Sequence, residues 1–254
     1  MRKVLLFVIR VLSLPLYIIP AKLRLGLIKG LMVLDSRVGG PDDAMRRQFQ
    51  ILDMAEKVIA ERALAFGDGI HPKHRLTRYH DFFVDNIDDG SSVLDVGCGY
   101  GALARSIAAR VNGAKVTGID SDGPRLTQAQ TTDNPDGVNF VLGDALKDLP
   151  EGSWDVMVLS NVWEHIEDRV GFMKGLLVKV QPTKVLIRVP VFERNWHLPM
   201  RKELSIGYFS DDTHYIEHTM DEFKDEAEHA GLEIVSQDIR WGEIWAVCKI
   251  TRQG

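Results

Sequence analysis

Cysteine is scarce, with two in 254 residues. Neither Cys98 nor Cys248 has a metal-type partner near it in the chain, which argues against a disulfide framework or a cysteine-bound zinc site and leaves two reduced thiols as the expectation. A basic excess is also missing. The formal net charge is −5, which argues against nucleic acid as a partner. No apolar run reaches the roughly 20 residues of a spanning helix; the longest, residues 4–20, carries Arg10 and Pro15 in its middle. Arg10 also interrupts the apolar region of a signal peptide, and Ile19-Pro20-Ala21 is a poor cleavage site. The length suits one α/β domain with an appendage and requires no second catalytic domain.

Charge, where present, is unevenly placed. Residues 1–34 hold Arg2, Lys3, Arg10, Lys22, Arg24 and Lys29 and no acid. A basic, apolar segment of this kind suits the interface of an anionic membrane, lying on it rather than crossing it. The other reading is a pair of helices that caps the substrate mouth or meets a second copy in a homodimer. The expected location is the cytoplasm, with peripheral contact at the inner face of the membrane through residues 1–34.

The chain is organised around residues 92–104. Val93 to Val96 reads as a buried strand, and Gly97, Gly99 and Gly101 then open a helix near Ala102. Alternating glycines permit positive φ or close approach of a ligand to the backbone, and a helix N-terminus adds free N–H groups. Together they describe a nucleotide cradle at the carboxyl edge of a parallel sheet. Gly97-x-Gly99-x-x-Ala102 also satisfies the dinucleotide fingerprint, which keeps a nicotinamide or flavin enzyme in view. Asp95, however, would repel a pyrophosphate and suits a cationic ligand. Asp120, with Ser121 beside it, stands at the tip of a second strand, Lys115–Ile119, placed to accept from ribose hydroxyls. Asp144-Ala145 follows a third strand over 137–143.

Val-Leu-Asp-Val-Gly-Cys-Gly-Tyr-Gly resembles the first motif of the class I S-adenosylmethionine-dependent methyltransferases, and the resemblance covers about residues 80 to 251. It implies a Rossmann-like α/β fold: a mostly parallel sheet with a C-terminal antiparallel hairpin, helices on both faces, and here an N-terminal helical extension. It also implies S-adenosylmethionine as cofactor, with Asp95 toward the methionine end, Gly97, Gly99 and Gly101 beneath it, Asp120 and Ser121 at the ribose, and Asp144 and Ala145 at the adenine. Export would part such an enzyme from its cytosolic cofactor.

Past a fourth strand, Trp154–Leu159, stands Ser160-Asn161-Val162-Trp163-Glu164-His165-Ile166. It is similar to the Glu-His motif of ubiquinone-type and polysaccharide-modifying O-methyltransferases. His165 is the expected catalytic base, a helix-capping histidine being the local alternative, and Asn161 is grouped with the cofactor residues. In the quinone enzymes a further acid three residues before the Glu can join the His in carrying a divalent metal. Asn161 takes that place here, so no metal is expected.

Acceptor contacts are expected from His74, in a loop over residues 66–79, and from a long excursion over 190–218 that carries Arg194, His197, His214 and His218 among aromatic side chains. A helix from Asp42 or Asp43 to about Ala65 aligns Phe49, Leu52, Ala55, Val58 and Ile59 on a docking face. The chain thus divides into a basic segment 1–40, a helical cap and loop 41–80, and a catalytic domain 81–254. The expected activity is O-methylation of a sugar hydroxyl in a lipid-linked glycan or surface polysaccharide. An isoprenoid quinone or phenol is the alternative acceptor, and a non-catalytic scaffold the reading from another class.

Overall fold

A computed structural model describes residues 18–68, 71–150 and 152–251. Residues 1–17 of the basic apolar segment, with Arg2, Lys3 and Arg10, lie outside the described residues. Helices come first: α1 (Ala21–Asp35), α2 (Pro41–Phe66), α3 (Lys73–Thr77) and α4 (Tyr79–Asp85). The alternating part follows as β1 (Ser92–Val96), α5 (Ala102–Arg110), β2 (Lys115–Asp120), α6 (Gly123–Thr131), β3 (Val138–Leu142), β4 (Val156–Ser160), α7 (Arg169–Val180) and β5 (Lys184–Pro190). After α8 (His197–Glu203) and α9 (Met220–His229), the hairpin β6 (Leu232–Arg240) and β7 (Glu243–Ile250) closes the fold.

The strands form one sheet in the order β3-β2-β1-β4-β5-β7-β6. The first five are parallel, and β7 runs antiparallel to both β5 and β6. Alternation sends Leu94 and Val96 to one face with Met173, Leu176 and Phe223, and Val93 to the other with Phe83, Leu103 and Ile107. β4 is buried along Val156–Leu159, as a strand covered on both sides should be. The order reverses at β1 and β4, which opens a crevice at their carboxyl ends.

Three expectations need correction. The α2 N-cap is Gly40, with Pro41 at the first turn and Asp42 and Asp43 inside it. Only the first half of that helix docks. Phe49 packs against Trp196 and His197, whereas Ala55, Val58 and Ile59 are exposed. The loop over 66–79 and the excursion are also less irregular than expected, because they contain α3 and α8.

Candidate active site

The turn after β1 is held from below. Gly97 and Cys98 donate their N–H groups to the Ile119 carbonyl at 2.8 and 3.2 Å. Gly97, Gly99 and Gly101 all have positive φ. A Cβ on Gly97 would meet Val162 at 2.6 Å and one on Gly101 the Phe140 ring at 2.3 Å, whereas one on Gly99 would meet nothing within 4 Å. The outer glycines therefore let protein approach protein, and the middle one leaves room for a ligand.

Asp120 reaches under this turn. Its Oδ2 accepts from the Gly99 N–H at 2.7 Å and its Oδ1 from the Asp122 N–H at 2.8 Å, which fixes the carboxylate while leaving acceptor capacity. Ser121 beside it is exposed. Asp95 is 2 % exposed, and its Oδ2 has no hydrogen-bond partner. Burial, with the negative charge of Asp120 nearby, pushes its carboxyl up to about 7. A buried carboxyl in this state lacks a cationic neighbour. Asp144 is held by the Leu146 N–H at 2.8 Å and by Lys147 at 3.0 Å, and Ala145 packs on the core beside it. Cys98 and Cys248 are both free thiols.

Beyond β4 the chain turns through Asn161 at φ 56. The Asn161 amide, oriented to satisfy both groups, donates to the Arg188 carbonyl at 3.2 Å and accepts from its Nη2 at 3.1 Å. The side chain is thus committed to β5, where Arg188 also pairs with Glu243 at 2.9 Å. The short 3₁₀ turn Trp163–His165 comes next. Its Trp163 is fully buried, and its indole donates to the Arg169 carbonyl at 2.9 Å.

Glu164 is 0 % exposed, neither carboxyl oxygen has a hydrogen-bond partner, and burial raises it to about 7. His165 Nδ1 lies 2.8 Å from Thr213 Oγ1, and that hydroxyl donates its only proton to Asp211 at 2.6 Å. The imidazole is therefore the donor toward Thr213, and its Nε2 carries a lone pair. Burial lowers the His165 pKa, which keeps the ring neutral.

The excursion supplies the opposite wall. His214 stacks edge-on to His165 with centroids 4.5 Å apart, and its Nδ1 faces Glu217 Oε1 at 3.4 Å. Arg194 pairs with the same Glu217. Phe192, Tyr208, Phe209, Tyr215 and Lys202 line a small cavity beside it. His165, His214 and Arg194 thus meet in one network. The other expected acceptor contacts lie elsewhere: His74 bonds Tyr79 at 3.0 Å, His197 packs on Phe49 and Trp196, and His218, 0 % exposed, bonds Glu226 at 3.0 Å. Glu164, Thr213 and Glu217 were not among the expected site residues. Glu164 had a signal in its place beside His165, whereas the other two had none that spacing could carry.

A family described as a methyltransferase domain matches residues 70–237. The 2-methyl-6-phytyl-1,4-hydroquinone methyltransferase of Synechocystis is 32% identical over 131 residues, 48% of this chain and 41% of that protein, so the chain spans well under half of that relative's length. The ribosomal protein L11 methyltransferase of Thermotoga maritima is 28% identical over 204 residues, covering 69% of this chain and 75% of the relative. Among solved structures, the magnesium protoporphyrin IX methyltransferase of Synechocystis with bound SAH superposes with a TM-score of 0.54 at 19% identity, over 68% of this chain and 83% of that one, which is a likeness of fold. With more than half of the chain matched on a sheet of this order, the protein belongs to the methyltransferase-domain family, among the class I S-adenosylmethionine-dependent methyltransferases.

Proposed function

We propose that this protein transfers the methyl group of S-adenosylmethionine to a hydroxyl of a membrane-resident acceptor, first a sugar of a lipid-linked glycan or surface polysaccharide. The observation that carries the cofactor assignment is the unpartnered Asp95 oxygen beside a turn with open space over Gly99. Asp95 would pair with the cofactor's ammonium group, Asp120 and Ser121 would face the ribose, Asp144 and Ala145 the adenine, and the α5 N-terminus would close the cradle. When bound, the cofactor supplies a methyl carbon on a sulfonium whose leaving group is a neutral thioether. The chain's own work is then alignment and exclusion of water, together with a place for the acceptor's proton. His165 offers the lone pair of Nε2 for that proton.

The acceptor class is supported by the aromatic cavity of the excursion and by the outward apolar side chains of α1 with its lysines. A quinone or phenol is the second reading, favoured by the hydroquinone named for the Synechocystis relative. Incubation with methyl-labelled cofactor and separated glycan-lipid, polysaccharide and quinone fractions tests both. Label in the quinone fraction alone would overturn the glycan assignment, and label in none would favour the scaffold. His165→Ala should cut turnover roughly 10²- to 10⁴-fold with cofactor affinity near normal, and unchanged turnover would remove its role. Asp120→Ala should instead weaken cofactor binding, read by calorimetry.

A further inference from the structure

One carboxylate oxygen of Glu164 and one ring nitrogen each of His165 and His214 lie within 4.8 Å of one another. We infer that these three side chains form a binding site for a single divalent transition ion of the zinc type, placed beside the cofactor cradle. Purpose, though not existence, rests on the function proposed above.

Three independent features point to an ion. The first is the carboxylate: Glu164 is fully buried with both oxygens unpartnered, a costly arrangement that a cation would relieve. The second is spacing. Glu164 Oε1 and His214 Nε2 stand 4.0 Å apart, too far for a hydrogen bond, whereas two ligands each about 2.1 Å from one metal sit roughly 3–4 Å apart.

The third feature is the orientation of both rings. His165 Nδ1 is held by Thr213, itself anchored on Asp211. His214 Nδ1 is held by Glu217, which also accepts from the Ser210 N–H at 2.5 Å. In each ring Nδ1 donates its proton to an oxygen and leaves Nε2 bare, and the bare Nε2 of His214 is the one that faces Glu164. A ligating histidine is tuned in this way by hydroxyls and carboxylates behind it.

The donor set is two imidazoles and one carboxylate, which favours Zn²⁺, Mn²⁺ or Fe²⁺ over Mg²⁺. It differs from the acid-rich set implied by resemblance to the quinone enzymes. By that pattern Asn161 should abolish the site, and Asn161 is indeed turned to Arg188. His214 supplies the third donor from the excursion instead. An ion held by three protein ligands keeps an open position, and a hydroxyl bound there ionises more readily. With the ion bound, the Nε2 lone pair of His165 is held as a ligand and the ion eases loss of the acceptor's proton; in the ion-free protein that lone pair is the base described above.

The test uses the full chain stripped with chelator and titrated with Co²⁺, followed by displacement with Zn²⁺ and by the thermal midpoint with and without Zn²⁺. Expected are one equivalent of Co²⁺ with a tetrahedral absorption band, and a midpoint that rises with Zn²⁺ concentration. Glu164→Gln and His214→Gln should each weaken binding by roughly 100-fold or more, and Thr213→Val by about 10-fold. Absence of stoichiometric binding by the wild-type chain would overturn the site even if a variant fails to fold. So would unaltered affinity in folded Glu164→Gln and His214→Gln. Binding of the demethylated cofactor, measured in parallel, separates this failure from failure of the methyltransferase reading.

Discussion

Gly99 and Gly101 share a left-handed backbone, φ 54 and 72, and serve different ends. In Gly101→Ala the new methyl meets Phe140 at 2.3 Å, so backbone strain and overpacking together should cost about 2–4 kcal/mol. Gly99→Ala adds a methyl in open space and should cost about 1–2 kcal/mol, while binding of the cofactor or its demethylated product weakens at least about tenfold because the ligand's room is taken. Urea unfolding and calorimetry on the two variants read these effects separately. Asp95 adds a pH dependence. Its folded carboxyl is raised to about 7 from the ordinary 3.8, so without cofactor it stays protonated through that window, and ionising it there costs stability as pH rises. Pairing with an ammonium group requires the ionised form. Cofactor affinity should therefore fall by up to about tenfold per pH unit below 7 and level off above it, and Asp95→Asn should flatten the profile in calorimetry at pH 6 and pH 8.

At the scale of elements, α9 ties the excursion to the sheet. Its start is a capping box: Thr219 Oγ1 accepts from the Glu222 N–H at 3.2 Å, and Glu222 Oε2 accepts from the Thr219 N–H at 2.8 Å. Glu226, further along, grips Arg169 of α7 at 2.6 Å and His218 at 3.0 Å. Thr219→Ala should cost about 1 kcal/mol. Glu226→Ala should cost about 3–5 kcal/mol, because it leaves the Arg169 charge without its carboxylate. Burial alone would raise the Glu226 carboxyl, but the hydrogen bonds and charges of His218 and Arg169 outweigh it and hold the group down to about 2, below the ordinary 4.5. Its contribution is therefore whole above pH 4.5 and drains away as pH falls toward 2. Thermal melts over pH 2 to 7 should show a smaller acid loss in Glu226→Gln than in the wild type, the remainder coming from other lowered carboxyls such as Glu217.

For the whole molecule, the outstanding surface is the helical extension. No residue of α1 is buried, and Leu23, Leu27, Leu31 and Leu34 are exposed together with Val58, Ile59 and Phe66 of α2. Among the described residues no helix is long and apolar enough to cross a membrane. If the extension rests on an anionic bilayer, sedimentation with vesicles rich in acidic lipid should fall on the double change Lys22→Glu and Lys29→Glu, by roughly fivefold per lysine lost at low salt, and binding that ignores both charge and salt would dismiss that contact. The strands and glycine turn were legible because their cause is local: β-branched runs, positive-φ glycines and acids at strand tips each carry their geometry in a few adjacent residues. The C-terminal hairpin, implied by the family resemblance, is present as β6 and β7. The docking of α2 was not legible, since a helical apolar face records which residues are apolar and not whether a partner reaches them. Nor could spacing separate His214, which meets Glu164, from His218, which sinks beside Trp163 and Phe223. The amino-acid order alone determined the sheet, its cofactor edge and the family, through signals spanning a few residues each. Only tertiary structure decided which imidazoles converge, because the partners of His165 arrive on a distant excursion whose path is set by the packing of α8 and α9.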